Sequence, residues 1–183
     1  EESRTDFLSR KVLEKALNQA NESGQEVTIK ELYIGNMDLQ PLTKERLEKR
    51  TELGNCGNFS DPMFDLAKEF AQADEIVVGA PYWDLSFPAI LKVYIENICV
   101  TGITFRYSEE GYPIGLCKGK KLTYVTTAGG HIGQFNFGYD YVKTIAQGMF
   151  GIGEVELVKA EGLDIFGADV EGILKEAVNM YNL

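Results

Sequence analysis

Ile76-Val77-Val78 is apolar at consecutive positions, and the chain then turns through Gly79-Ala80-Pro81-Tyr82-Trp83-Asp84-Leu85-Ser86-Phe87-Pro88 into a helical pattern. A strand that is apolar without alternation is one covered on both faces, as in a parallel sheet. Pro88 stands where a helix tolerates proline best, in its first turn, and Ala89, Ile90, Leu91, Val93, Tyr94, Ile95 and Ile98 continue at helical spacing. Strand, turn and helix in that order leave the turn outside the carboxyl end of the strand, where open α/β sheets bind their ligands. An aromatic turn in that place can hold a flat ring.

The rest of the chain alternates in the same way. Thr5 to Ala20 reads as an amphipathic helix, with Phe7, Leu8, Val12, Leu13, Ala16 and Leu17 on one side. Val27 to Tyr33 alternates with period two and reads as a strand at a sheet edge. A helix capped by Thr43 runs to Arg50, and Asp61-Pro62 opens another. Strand Lys121 to Thr127, a helix near Tyr139 to Met149, strand Glu154 to Ala160 and a helix from Ala168 to Tyr181 complete the pattern. The expected fold is α/β, a three-layer doubly wound parallel sheet in one domain over residues 1–183, with a hairpin or lid inserted near 104–116. In the flavodoxin-like order 2-1-3-4-5 the first strand lies mid-sheet, before the first helix. Without it the sheet would carry a gap of about 9 to 10 Å. We therefore expect the first strand and the start of a phosphate loop to lie upstream of Glu1; the alternative is a four-strand sheet of different order.

A chain of 183 residues, 44% apolar, can bury an ordinary α/β core. Its 28 acidic against 18 basic residues give a net charge of −10, a field that repels nucleic acid and anionic lipid. No run approaches the roughly 20 apolar residues of a membrane span, and Glu1 to Arg10 is too polar for a secretory signal, so a cytoplasmic protein is expected. Cys56, Cys99 and Cys117 show no paired spacing and there is a single histidine, which argues against a zinc site or a disulfide framework. Gly115 to Lys121 is rich in glycine and lysine, yet it does not satisfy the P-loop pattern and precedes a strand instead of following one.

Three segments are expected to meet at one rim of the sheet. Ser3-Arg4-Thr5 opens the first helix, where free N–H groups and the helix dipole favour an anion and the hydroxyls can donate to phosphate oxygens; the plain alternative is a helix cap. Pro81, Tyr82, Trp83, Asp84 and Leu85 offer a rigid turn and apolar bulk for an isoalloxazine, with the Asp84 backbone N–H, not its carboxylate, facing the ring; core packing or a dimer contact is the alternative. Thr126-Thr127-Ala128-Gly129-Gly130-His131 follows an interior strand. Its glycines let the backbone pass close to a ligand and point N–H groups at negative charge on a reduced flavin, although a tight turn also explains them. His131 is a candidate to position substrate or donate a proton, or is simply solvated. Between these, Thr104 to Tyr107 and Tyr112 to Ile114 read as a hairpin whose Phe105 and Tyr107 could stack on a planar substrate or else pack on the subunit or on a partner.

These segments together resemble the FMN-dependent NADH-azoreductases and NAD(P)H:quinone oxidoreductases, a flavodoxin-like family. The resemblance runs from Ser3-Arg4-Thr5 through Ala80 to Leu85, Phe87 to Lys92, Gly102 to Tyr107, Gly115 to Lys120 and Thr127 to Gly130, to Ala160-Glu161-Gly162. It implies FMN as cofactor: phosphate on Ser3 to Thr5, ring on Pro81 to Leu85, and pyrimidine side on Thr127, Ala128, Gly129 and Gly130. It also implies NADH or NADPH as co-substrate, a quinone, azo or nitro-type acceptor, and hydride transfer in two alternating steps. A homodimer follows in the same way, with Tyr107, Met149 and Phe150 walling the partner's pocket. No metal and no side-chain nucleophile is required. Tyr82-Trp83-Asp84-Leu85 departs from the azoreductases' usual Met-Tyr-Asn-Phe, which touches substrate choice more than flavin binding. The rival readings are a flavodoxin-like electron-transfer protein, whose acidic surface would dock a basic redox partner, and an NADH-dependent FMN reductase.

Overall fold

The computed structural model describes residues 3–181. Three strands, β1 (Glu75–Gly79), β4 (Lys121–Thr127) and β5 (Glu154–Ala160), form a parallel sheet in the order β1-β4-β5. Their register aligns Glu75 with Lys121 and Lys121 with Glu154, so all three carboxyl ends reach one rim. β4 is paired on both edges and buried from Leu122 to Thr127, as its apolar and threonine side chains require. Two short strands, β2 (Phe105–Tyr107) and β3 (Pro113–Gly115), make a separate antiparallel hairpin.

Helices cover both faces of the parallel sheet, which makes the three layers. On one face α1 (Arg4–Glu22) and α6 (Val170–Met180) bury Leu8, Val12 and Leu174 against Val125 and Val158. On the other, α3 (Asp65–Gln72), α4 (Ala89–Ile98) and α5 (Phe137–Ile145) bury Phe70, Leu91, Ile95 and Val142 against Leu122 and Tyr124. A further helix, α2 (Lys44–Asn55), has no buried residue. Side-chain caps account for where α1, α2 and α6 begin. Ser3 Oγ accepts from the Asp6 N–H, Thr43 Oγ1 from the Arg46 N–H and Asp169 Oδ1 from the Gly172 N–H, at 3.3, 3.3 and 3.0 Å. Asp61 caps one 3₁₀ turn, Pro62–Phe64, which leads into α3.

Three expectations are corrected. Val27 to Tyr33 forms no strand: a cavity of about 1310 Å³ lies between this segment, α1 and the free edge of β1. A ladder needs a neighbour within about 4.8 Å, and neither side of the cavity has one facing it. Val27 and Ile29 are therefore 42% and 48% exposed, and Ile76 to Val78 are half-buried instead of covered on both faces. Second, the helix expected near Tyr139 to Met149 starts at Phe137 and gives way after Ile145 to a single wide turn, Ala146–Phe150. Gly151, at φ +77°, ends it in a left-handed conformation that favours glycine.

Third, the insertion expected near 104–116 as a hairpin or lid is the β2–β3 hairpin, and it lies away from the carboxyl rim of the sheet. Gly115 lies against the backbone of Phe150 and Gly151, the Cys117 N–H donates to the Phe150 carbonyl at 3.3 Å, and the Lys118 N–H donates to Ala71 at 2.8 Å. These residues precede the starts of β5 and β1, so the hairpin is rooted at the amino end of the sheet. The turns that follow the strands lie at the other end.

Candidate functional site at the carboxyl rim of the sheet

α1 meets the rim through a close contact with the sheet. A Cβ on Gly79 would stand 2.3 Å from Ser9 Oγ, so a glycine at the end of β1 is what lets the helix lie this near. Thr5, 6% exposed, shares a hydrogen bond of 2.5 Å with Thr127, 8% exposed, which ties the helix start to the end of β4. One hydroxyl of the pair donates to the other, and the second keeps its own hydrogen for another acceptor. Ser3 is exposed at the rim and its hydroxyl caps α1.

The aromatic loop continues the β1–β4 pairing and then folds back. The Ala80 and Tyr82 N–H groups donate to Val125 and Thr127, both at 2.9 Å. Trp83 and Ser86 exchange backbone hydrogen bonds of 3.0 and 2.8 Å around Asp84 and Leu85, whose φ values are +49° and +68°. Two successive left-handed residues make a tight reversed turn, which costs energy for residues other than glycine, most of all for leucine. Among the described residues neither the Asp84 nor the Leu85 N–H has an acceptor. Trp83 is 59% and Leu85 48% exposed, while Pro81 and Tyr82 are half-buried below them.

The glycine turn is the third component. The Gly129, Gly130 and His131 N–H groups have no acceptor among the described residues, giving three consecutive free donors. Successive N–H groups of this kind make an anion-binding concavity. The two glycines differ: a Cβ on Gly130 would meet nothing within 4 Å, whereas one on Gly129 would stand 2.1 Å from Asp164 Oδ2. Ala128 is buried and its N–H donates to Ala160 at 2.9 Å.

The loop after β5 braces this turn. Gly162, Leu163 and Asp164 donate their N–H groups to the Gly130, Ala128 and Gly129 carbonyls at 2.9, 3.2 and 2.9 Å. Glu161 accepts from the Ile132 N–H at 3.0 Å and pairs with Lys159 at 3.2 Å. Partial burial pushes the Glu161 carboxyl up, but the Ile132 N–H, Lys159 and His131 together hold it below the usual glutamate range. His131 is exposed, with its ring close to Gly162. Glu161 as an anchor and Asp164 were not among the sequence candidates, and only their place after a parallel strand could have signalled them. The same holds for Phe135 and Phe137, 47% and 53% exposed, on the segment that receives the Tyr82 hydroxyl and donates to the Leu85 carbonyl.

The structure thus brings together Ser3, Arg4, Thr5, the Pro81 to Leu85 loop, Thr127 to Gly130 and His131. It separates the remaining candidates from them. Phe105 is 5% exposed, with its ring edge-on to Tyr107 at 5.4 Å, and Phe150 is 2% exposed, packed on Phe70 at 5.0 Å. Both rings are buried near the amino end of the sheet, away from the rim. Met149 is half-buried beside Phe150, and Tyr107 is 56% exposed on the hairpin.

Residues 2–182 match the model of a family described by its flavodoxin-like fold. Over 181 residues the chain is 39% identical to an FMN-dependent NADH:quinone oxidoreductase 2 of Clostridium acetobutylicum, covering 96% of this chain and 87% of that protein. The chain belongs to this flavodoxin-like oxidoreductase family. Another member, the FMN-dependent NADH:quinone oxidoreductase of Lachnoclostridium phytofermentans, is 39% identical, with 95% of this chain and 86% of that protein aligned. The crystal structure of an azoreductase from Bacillus anthracis superposes with a TM-score of 0.73 at 25% identity, covering 94% of this chain and 88% of that one. Against the flavodoxin-like order, β1, β4 and β5 occupy the last three places. In this family member the donor set at the rim has the chemistry that a flavin mononucleotide needs: hydroxyls and N–H groups for the phosphate, and backbone donors beside aromatic side chains for the ring.

Proposed function

We propose that the rim binds FMN and that the protein is an FMN-dependent NAD(P)H:quinone oxidoreductase that also accepts azo compounds. In this reading Ser3, the Arg4 backbone N–H and Thr5 hold the phosphate while the Arg4 guanidinium is engaged by Asp164, Pro81 to Leu85 hold the ring, and Thr127 to Gly130 hold its pyrimidine side. The observation that carries it is the convergence of free backbone donors from two separate turns, Asp84-Leu85 and Gly129 to His131, at one end of the sheet. Held there by Pro81 to Leu85 and Thr127 to Gly130, FMN would supply the redox chemistry between NAD(P)H and the acceptor.

What the chain supplies is position and electrostatics. The Thr5–Thr127 pair and the first N–H groups of α1 present fixed donors to an anion, which need no reorganisation when it binds. The Trp83, Leu85, Phe135 and Phe137 side chains form an apolar border that excludes water from a planar ligand and gives an aromatic acceptor a surface to stack on. His131 is exposed beside the glycine turn and is available to a substrate there. A homodimer belongs to the same reading: Tyr107 stands exposed at the opposite end of the sheet from its own rim and can serve the site of a second copy.

The test is anaerobic. Protein loaded with FMN is mixed with NADH while flavin absorbance is followed, and a quinone is then added. Bleaching on NADH and recovery on quinone are expected. A flavin that binds but is not bleached by either NADH or NADPH would indicate an electron carrier, and failure to bind FMN at all would overturn the reading.

A further inference from the structure

Asp164 lies against the glycine turn, and its carboxylate is the partner of Arg4. Arg4 Nη1 donates to Asp164 Oδ1 at 2.6 Å across the rim, linking the first residue of α1 to the loop after β5. The other oxygen, Oδ2, occupies the place a Cβ on Gly129 would take, and the Asp164 N–H donates to the Gly129 carbonyl at 2.9 Å. The carboxylate, on a side chain 68% exposed, stands beside the turn with its backbone anchored there. The guanidinium, 38% exposed, uses only one of its N–H groups in this pair. A partly exposed ion pair of this sort contributes little to stability. Its placement matters more, because it puts one negative and one positive charge next to the three free N–H groups of Gly129 to His131.

We propose that Asp164 is a positioning residue that sets the redox poise of the bound flavin by balancing the charge of Arg4 at the glycine turn. The inference rests on the placement of the pyrimidine side of FMN on that turn. Two-electron reduction of FMN with uptake of one proton leaves a negative charge on the flavin. A carboxylate beside the ring disfavours that form and a guanidinium favours it; paired, they nearly cancel. The geometry therefore makes the pair a charge setting that can be moved in either direction by one substitution.

The test measures binding of oxidised and reduced FMN, with the potential read against a reference dye during anaerobic titration with dithionite. Asp164→Asn keeps the side-chain shape and leaves Arg4 unbalanced; reduced FMN should gain on oxidised FMN by about tenfold, a rise of about 30 mV for a two-electron couple. Arg4→Gln should move the potential down by a similar amount, and the double variant should return close to the parent value. A structural role would weaken both redox forms together and leave the potential in place. If parent protein binds FMN but neither single variant shifts its potential, or both shift it in the same direction, the role of Asp164 is refuted and the flavin site stands. If parent protein binds no FMN, the site reading itself is lost.

Discussion

At the amino end of the parallel sheet the loops close on one another. The Lys118 and Lys120 N–H groups donate to the Ala71 and Asp74 carbonyls, the Glu154 N–H donates to the Lys120 carbonyl, and a Cβ on Gly115 would stand 2.2 Å from both the Gly151 nitrogen and the Phe150 carbonyl carbon. At the carboxyl end the Asp84 and Leu85 N–H groups, and those of Gly129 to His131, lack acceptors among the described residues, and a Cβ on Gly130 would meet open space. The chemistry of the peptide group is the same at both ends. What differs is how much of its hydrogen-bonding capacity the fold consumes, and that difference separates a structural end from the proposed binding end.

The largest effect is expected where the packing is tightest. Gly115→Ala places a methyl group into backbone that has no side chain to move aside, and should destabilise the protein by about 3 kcal/mol, the upper part of the usual overpacking range. Urea unfolding measures it. FMN affinity of the folded molecules should be unchanged, and a variant of normal stability would show that this end is looser than its contacts imply.

Gly130→Ala sharpens the contrast from the other side. Gly130 has no positive φ and no neighbour, so stability should stay within about 0.5 kcal/mol. FMN affinity should nonetheless fall about tenfold, or about 1.4 kcal/mol, because the methyl group enters the space that the ligand would use. An alanine variant that binds FMN as well as the parent would remove the glycine turn from the site.

Much of this division was legible in the sequence. Strand limits at Lys121–Thr127 and Glu154–Ala160 follow from runs bounded by glycine and lysine turns, and the rim follows from topology, since every loop after a parallel strand reaches the same end. The Val27 segment was misread because period-two alternation reports a half-exposed extended chain, whether or not a neighbour is present to pair with it. Phe105 and Phe150 were misplaced because aromatic residues in a hairpin or after a helix look alike when they cover a surface and when they plug a core. Asp164 was invisible for a different reason: its position comes from the backbone hydrogen bonds that Gly162, Leu163 and Asp164 make to the glycine turn, and no local pattern encodes these.

Thr5→Val tests the link between the helix start and the sheet. It removes one hydroxyl of the 2.5 Å pair with Thr127 while keeping the β-branched shape, and should cost about 1 kcal/mol in stability. The informative readout compares two ligands. FMN should lose affinity and riboflavin, which lacks the phosphate, should not; an equal loss for both would move the phosphate away from α1.

The smallest effect concerns how the loop after β5 holds the binding end together. Glu161 is only partly buried, so solvent screens its interactions, and its carboxyl is held below the usual glutamate range by the Ile132 N–H, Lys159 and His131 against the opposing effect of burial. A depressed folded-state value means that the stabilisation is complete above the unfolded-state value and is lost as pH falls through the folded one. Between about pH 5 and about pH 3 the parent should therefore lose slightly more stability than Glu161→Gln, whose amide oxygen can still accept from Ile132 at every pH. Urea midpoints across that interval decide the matter. Parallel curves would mean that the brace on the glycine turn is carried by the backbone hydrogen bonds of Gly162 to Asp164 alone, and that the binding end, like the amino end, owes its shape to peptide groups and not to charge.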